Sequence, residues 1–423
     1  MEKSAYKIKV IVASSGERFR ALVNADGTLH YYGNLYANMN LRTRNRAGHT
    51  VENALRAIVI LYHFLDSANI QLEHRMLAGN FLSRPELENL NRVSRFPISD
   101  ITALTAPQHS PNKKTIQFTP FRKKVVPHNV SDEISKKTAT LRQIYIKDYL
   151  LWLLEWFSHH KTSDRLKSFE WARTMTQRVL SSFSTDGAKR GVTIRQGLSQ
   201  ESQDELFRII DLCSQDNPWK HHFCRTRNEL LIKLLFYLGV RRGELLALQV
   251  RDVNFSENKI LIARRPDNPE DSRKYQPLVK TLERSLPLED ALGERLYGYI
   301  HNCRRKTQHA KYHPFLLVSS IGDPFSISGL SHVCEEIKAV NPHLLSNFSP
   351  HLLRHTWNDR FSRIMKEEGV PPDREQYLRC ILMGWIPTSE MAAVYTRRYV
   401  IEEAQKISLQ MQKEAINLGR KND

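Results

Sequence analysis

The sequence predicts a mainly α protein with small β elements: a helical N-terminal half, then an α+β half holding a small antiparallel sheet. Three observations predict it. Apolar residues recur at helical spacing over Val51, Leu55, Ile58, Val59, Tyr62 and Leu65, and again over Leu141, Ile144, Tyr145, Tyr149, Trp152, Leu153 and Trp156. Two short strand-like runs, Lys259-Ile260-Leu261-Ile262-Ala263 and Arg284-Ser285-Leu286-Pro287-Leu288, flank a loop rich in charge and proline. A chain of 423 residues with 41% apolar content has material for two or three domains and is not a disordered one.

The first forty residues read as β structure. Lys7-Ile8-Lys9-Val10 alternates, as do Phe19, Ala21 and Val23, and Asp26-Gly27 predicts a two-residue hairpin turn after which Leu29 and Tyr31 resume the apolar face. Arg42, Arg44 and Arg46 follow in a polar segment, and Thr50 is placed to cap the first long helix. From Ile101 to Ser131 there is no acidic residue. Lys113, Lys114, Arg122, Lys123 and Lys124 stand there among four prolines, an extended basic connection that either lies on phosphate or is solvated. Helical pattern continues across Phe169–Phe183, with aromatic residues that suit a core better than a stacking platform. The small polar run Ser184–Gly191 predicts a linker, and Leu198-Ser199 opens the next helix. The expected division is a β-rich extension (1–48), a helical domain (49–185), a linker (186–198) and a second domain (199–423) ending in an amphipathic helix striped by Ala404, Ile407, Met411, Ala415 and Leu418.

Lysine and arginine number 63 against 45 acidic residues, a net +18. Such an excess points to a polyanion, because cations that neutralise phosphates release condensed counterions. Nucleic acid is preferred over a membrane surface, since no basic amphipathic helix with an aromatic face is evident. The densest apolar stretch, Tyr149–Phe157, is half the length of a span and is interrupted by Glu155; the N-terminus has no leader-like apolar core. Five cysteines without a CxxC pair read as reduced thiols in the cytoplasm. No HExxH, Walker loop or acidic cluster at metal spacing is present, and His159-His160 and His221-His222 direct adjacent side chains apart, so neither metal nor cofactor is expected.

Four segments of the second half carry chemistry jointly. In Leu238-Gly239-Val240-Arg241-Arg242-Gly243-Glu244-Leu245, an apolar helix reaches a glycine, then Arg241, then a second helix with Glu244 one turn on. Lys280-Thr281 sits between the two strand-like runs, where a hairpin tip projects a lysine into a groove. In Ser349-Pro350-His351-Leu352-Leu353-Arg354-His355, His351 and Arg354 share a helical face suited to a phosphate or a carboxylate, with His355 pointing elsewhere as a structural hydrogen bonder. Leu382-Met383-Gly384-Trp385 is followed by Tyr395-Thr396-Arg397-Arg398-Tyr399.

Taken in order, a Gly-x-Arg-x-x-Glu-Leu turn, a loop lysine, His-x-x-Arg, Gly-Trp and a tyrosine resemble the tyrosine recombinase family, the phage integrases, over roughly residues 199 to 400. The resemblance implies a helical core-binding, DNA-binding domain over 49–185, a β-rich addition before it, and a catalytic domain that follows. It implies that Arg241 and Arg354 clamp the non-bridging oxygens of the scissile phosphate, that Lys280 protonates the departing 5′ oxygen, that His351 assists proton transfer from the nucleophile, and that Tyr395 is that nucleophile. Trp385 stands where the family has His or, less often, Trp, and its indole N–H can donate to phosphate but cannot accept a proton. Glu244 matches an acid that orients its neighbours. Trp385 to Tyr395 is one residue longer than usual for the family, so Tyr399 competes as nucleophile, and Lys274 competes with Lys280 in the long loop.

The implied partners are double-stranded DNA carrying an inverted-repeat site and further copies of the chain, as dimer and tetramer on DNA. An accessory DNA-bending or directionality factor is a further implied partner, and no membrane is. Arg42, Arg44, Arg46 and the 113–124 cations are candidate DNA contacts. Cytoplasmic, nucleoid-associated location in a bacterium and a role in integrating or excising a mobile element follow by analogy. Two alternatives stay open: a type IB topoisomerase-like enzyme that reseals the same strand, and a DNA-binding architectural protein on the same scaffold without turnover.

Overall fold

The alternation that begins at Lys7 forms strand β1 (Lys7–Val12) in the computed structural model of the chain, which describes residues 6–105, 133–158, 163–181, 196–388, 392, 405 and 407–412. β1 pairs antiparallel with β2 (Arg18–Val23), Lys7 opposite Val23 and Val12 opposite Arg18. Directly opposed residues share a face, so Ile8 and the fully buried Leu22 together meet the core. The chain divides into two compact units, Met1–Ala13 with Arg18–Gly191, and Ser14–Glu17 with Val192–Asp423.

The hairpin expected at Asp26-Gly27 is displaced. The turn is present, with the Thr28 N–H and hydroxyl both donating to Asp26 Oδ1 (2.9 and 2.7 Å), but Val23 makes only an isolated bridge to Leu29 beyond it. The chain then turns helical instead of returning as a strand. The His30 imidazole accepts the Gly33 N–H (3.1 Å) and caps a helix over Tyr31–Tyr36, which continues as a π-helical turn over Ala37–Arg42. A side-chain cap satisfies a helix start locally, and here it wins over apolar alternation. Leu29 and Tyr31, expected on the apolar face, are therefore exposed.

The first long helix spans Gly48–Ser67 and starts at Ala47, without a side-chain cap; Thr50 lies inside it. Gly48 is bare, so the Arg20 guanidinium can lie where a Cβ would stand and reach buried Glu52 (3.6 Å). That contact draws the helix start back past Thr50. The helix is buried nearly all round from Ala54 to Leu65, and packs with Lys136–Ser158 and, through the shared core, Ser163–Ser181. Tyr149, Leu150 and Leu153 are core residues, as their spacing predicts. The Tyr62 and Tyr149 hydroxyls lie 2.9 Å apart, and burial raises both phenols well above their ordinary pKa.

The second unit is built on the helices Gln200–Ile210, His222–Leu238, Ile327–Val340 and Pro350–Glu367, with a three-stranded antiparallel sheet of β3 (Val253–Asn254), β4 (Lys259–Ile262) and β5 (Arg284–Pro287). β4 lies between the others, and Ile262 faces Arg284 across the β4–β5 pair. Ser199 caps Gln200–Ile210 by accepting the Ser202 N–H (3.1 Å). All five cysteines are free. Among the described residues no helix is long and apolar enough to cross a membrane.

Candidate active site

Helix His222–Leu238 stops at Gly239, whose φ of +62° is left-handed; an added Cβ would also lie 2.6 Å from the Trp357 ring. Both the angle and the space require glycine there. Two residues on, Arg241 is extended and precedes the helix Arg242–Ala247. Its backbone N–H donates to Glu244 Oε2 (3.0 Å) and its Nη1 to Glu244 Oε1 (3.3 Å), while the guanidinium stays about one-third exposed.

Glu244 is 1% exposed. It also accepts the Thr281 hydroxyl (2.7 Å) and Arg284 Nη2 (2.8 Å). Burial alone would raise its pKa; the Arg284 guanidinium, helped by Arg354 and the Arg241 N–H, outweighs this and holds the carboxyl below its ordinary range.

Lys280 is not at a hairpin tip. The β4–β5 connection runs over residues 263–283, and Lys280 lies on its returning limb just before β5. The loop is gripped along its length. Arg265 forms a two-pronged pair with Asp252, with one contact at 2.9 Å. Arg273 pairs with Asp271 (2.8 Å), donates to the carbonyls of Leu246 (3.0 Å) and Phe325 (2.8 Å), and lies over the Phe315 ring. Val279 and Thr281 are buried, so strand-like alternation turns Lys280 outward.

The backbone on either side of Lys280 is fixed. An added Cβ on Gly243 would stand 2.4 Å from the Leu278 carbonyl oxygen, and the Leu282 N–H donates to the Gly384 carbonyl (2.9 Å). Lys280 is thereby held between the Arg241 turn and the Trp385 turn. Gly243→Ala is expected to displace this limb and to cost about 1–3 kcal/mol of stability, the usual cost of overpacking. Urea unfolding of the variant beside the wild type checks this: a lowered midpoint is the expected result, and an unchanged one would mean that the limb gives way at no cost. Lys274, the competing lysine, is exposed earlier in the loop, its Nζ 5.9 Å from the Tyr275 ring centre.

Ser349 caps the helix Pro350–Glu367 by accepting the Leu352 N–H (3.2 Å). Arg354, one turn in, is 1% exposed and donates from Nη1 to the Gly239 carbonyl (2.6 Å). His351 is exposed, and its ring meets that of buried His355 edge-on at 4.3 Å, so the two imidazoles are neighbours and not separately directed. Arg379, fully buried, donates to Asn358 Oδ1 (2.9 Å) and pairs with Glu375, tying Pro372–Met383 to this helix. Pro372–Met383 ends at Gly384 (φ +63°), and Trp385 follows, 7% exposed. Its ring lies 5.9 Å from the Arg241 guanidinium carbon and 5.2 Å from that of Arg354. One indole thus has two guanidinium groups against it, with the Lys280 limb bonded to the turn that carries it.

Tyr395, its competitor Tyr399, and Lys113, Lys114, Arg122, Lys123 and Lys124 lie outside the described residues. Arg42, Arg44 and Arg46 belong to the first unit. There Arg42 covers the Phe19 ring at 3.7 Å and donates to Asn38 Oδ1 (3.0 Å), and Arg44 and Arg46 are exposed. The roles of Thr281 and Arg284 escaped the sequence reading, although a signal was present. Period-2 alternation places Arg284, Leu286 and Leu288 on one face, and all three are buried. A charged residue on the buried face of a strand needs a partner, and Glu244 is that partner.

Residues 202–400 match the model of the phage integrase family. The tyrosine recombinase XerC of Listeria innocua is 26% identical over 170 residues, which are 40% of this chain and 50% of that protein. The tyrosine recombinase XerD of Halalkalibacterium halodurans is 24% identical over 131 residues, 31% of this chain and 39% of that protein. The chain spans about half the length, or less, of these curated relatives. Among solved structures, a Tn1549 transposon integrase in complex with transposon right end DNA aligns with a TM-score of 0.42 at 18% identity, covering 64% of this chain and 80% of that one. XerA recombinase aligns with a TM-score of 0.33 at 16% identity, covering 86% and 92%.

Proposed function

We propose, from the premise that the chain belongs to the phage integrase family through residues 202–400, that it is a site-specific DNA recombinase working through a 3′-phosphotyrosine. The observation that carries the reading is the placing of Arg241 and Arg354 against one indole, with the Lys280 limb bonded to the turn that bears it. A phosphodiester seated there meets planar, permanently charged donors suited to its non-bridging oxygens. The same donors stabilise the charge that accumulates in the pentacoordinate transition state.

In the proposed step, Tyr395 Oη attacks phosphorus, and its proton passes to His351. The bond from phosphorus to the 5′ oxygen breaks, and that oxygen takes a proton from the Lys280 ammonium. The bond energy stays in the phosphotyrosine, so the free 5′ hydroxyl of a second duplex can reverse the step and exchange strands. Two copies of the chain would occupy inverted half-sites and four the synapse, with the basic residues of the first unit on the duplex and a DNA-bending or directionality factor assisting. The setting is a mobile element entering and leaving a bacterial nucleoid.

Covalent trapping tests the reading. Nicked duplexes from DNA flanking the protein's own gene are offered to the wild type, Tyr395→Phe and Tyr399→Phe, then resolved on a denaturing gel. The expected result is an adduct lost only with Tyr395→Phe. Loss only with Tyr399→Phe moves the nucleophile, and tight binding with no adduct for any duplex overturns the enzymatic reading.

A further inference from the structure

We infer that Arg284 is a positioning residue for the leaving-group proton, holding the Lys280 limb in register with the Arg241 and Trp385 turns. The inference rests on the recombinase reading above and adds a residue to it. Arg284 is buried and each of its three guanidinium nitrogens already donates to a protein acceptor, so it acts through others. Its guanidinium is engaged in three directions: Nη2 donates to Glu244 Oε2 (2.8 Å), Nη1 to Thr281 Oγ1 (3.1 Å) and Nε to the Leu382 carbonyl (2.6 Å). Those acceptors lie on three separate segments. Glu244 fixes the Arg241 turn, Thr281 adjoins Lys280, and Leu382 precedes Gly384-Trp385. One planar fork therefore joins the segments that carry the phosphate clamp, the acid and the indole, which a single ammonium could not do.

Lys280 depends on this node more than Arg241 does. Arg241 keeps its own backbone and side-chain bonds to Glu244 when Arg284 is removed. Among the described residues, the exposed Lys280 side chain is aimed by the backbone beside it, fixed on one side by the Leu278–Gly243 contact and on the other by Thr281 and the Leu282–Gly384 bond. Releasing Thr281 lets the lysine swing while the phosphate clamp stays.

A leaving-group substitution separates this role from a merely structural one. The nicked duplex selected by covalent trapping is prepared with either oxygen or sulfur at the bridging 5′ position of the scissile phosphate. With sulfur, the phosphorus–sulfur bond breaks and a thiolate departs as the anion, without a proton. Single-turnover adduct formation is measured for wild type, Lys280→Ala, Arg284→Met and Thr281→Val. Thr281→Val removes one buried hydroxyl from a near-isosteric side chain and carries the test should Arg284→Met fail to fold.

On the oxygen substrate, Arg284→Met is expected to lose about 10²-fold in rate and Thr281→Val to move the same way by less. On the sulfur substrate both defects shrink to within about threefold, as for Lys280→Ala, because a thiolate needs no acid. Equal losses on both substrates overturn the inference and make Arg284 a support of the whole site. Failure of sulfur to rescue Lys280→Ala instead overturns the assignment of Lys280 as acid. Absence of any wild-type adduct overturns the recombinase reading itself.

Discussion

Arg354→Lys is expected to lower the rate of covalent adduct formation by about 10²–10³-fold, roughly 2.7–4 kcal/mol of transition-state stabilisation, the usual cost of removing one oriented donor from developing charge. The charge survives the substitution; the fork does not. Arg354 spends Nη1 on the Gly239 carbonyl and lies against the Trp385 ring, so its position is set by protein contacts before any phosphate arrives. A lysine's single ammonium can satisfy the carbonyl or reach the phosphate, and does not bridge the two. The measurement is single-turnover cleavage with protein in excess, beside a gel-shift affinity and a thermal melt. Loss of rate well beyond loss of binding is the expected pattern; a rate within threefold of wild type would remove Arg354 from the clamp.

Glu244→Gln is expected to cost about 3–5 kcal/mol of stability at neutral pH, the range for removing one partner of a buried ion pair. The variant leaves Arg284 buried without the countercharge of Glu244, since the Arg284 side chain is 6% and that of Glu244 0% exposed. The pH dependence has a definite sign. The folded-state pKa of Glu244 is depressed, chiefly by Arg284 acting against burial. Its contribution is therefore fully present above the ordinary carboxylate pKa and is lost as pH falls through the lower folded value. Urea unfolding of both proteins from pH 7 downward should show a gap in stability that narrows on acidification. A gap that stays constant to acid pH would mean that charge is not what Glu244 supplies.

The parts of this site legible in sequence are those that local chemistry builds. Gly239 and Gly384 stop their helices in left-handed conformations, Ser349 caps another, and Arg241, Trp385 and Arg354 follow at short fixed offsets from these signals. Their approach to one another is a long-range fact, visible only as an order of motifs. Lys280 is marked in the sequence by its neighbours, but its place on the returning limb depends on Arg265 and Arg273, whose partners Asp252, Leu246 and Phe325 lie 13, 27 and 52 residues away. Likewise β structure was expected through Tyr31 because alternation is a weak signal beside a cap: one imidazole, His30, turned the segment into helix. Thr50 failed as a helix start because a residue far back in sequence, Arg20, held Gly48.

The length of the β4–β5 connection has a consequence for the order in which the molecule assembles. β3 and β4 are joined across residues 255–258 and can close early, whereas β5 must return over residues 263–283. Closing the longer loop costs about 1.5 kcal/mol more in chain entropy before any contact repays it. The arginine clamps along that loop bring the return within reach, so β5 docks late and, in the native state, opens early. Lys280 lies on the limb that leads into this strand. Hydrogen exchange should find the amides of residues 279–286 releasing ahead of those in His222–Leu238 and Pro350–Glu367, so that partial unfolding releases Lys280, the proposed proton donor, while the helix that carries Arg354 is still in place.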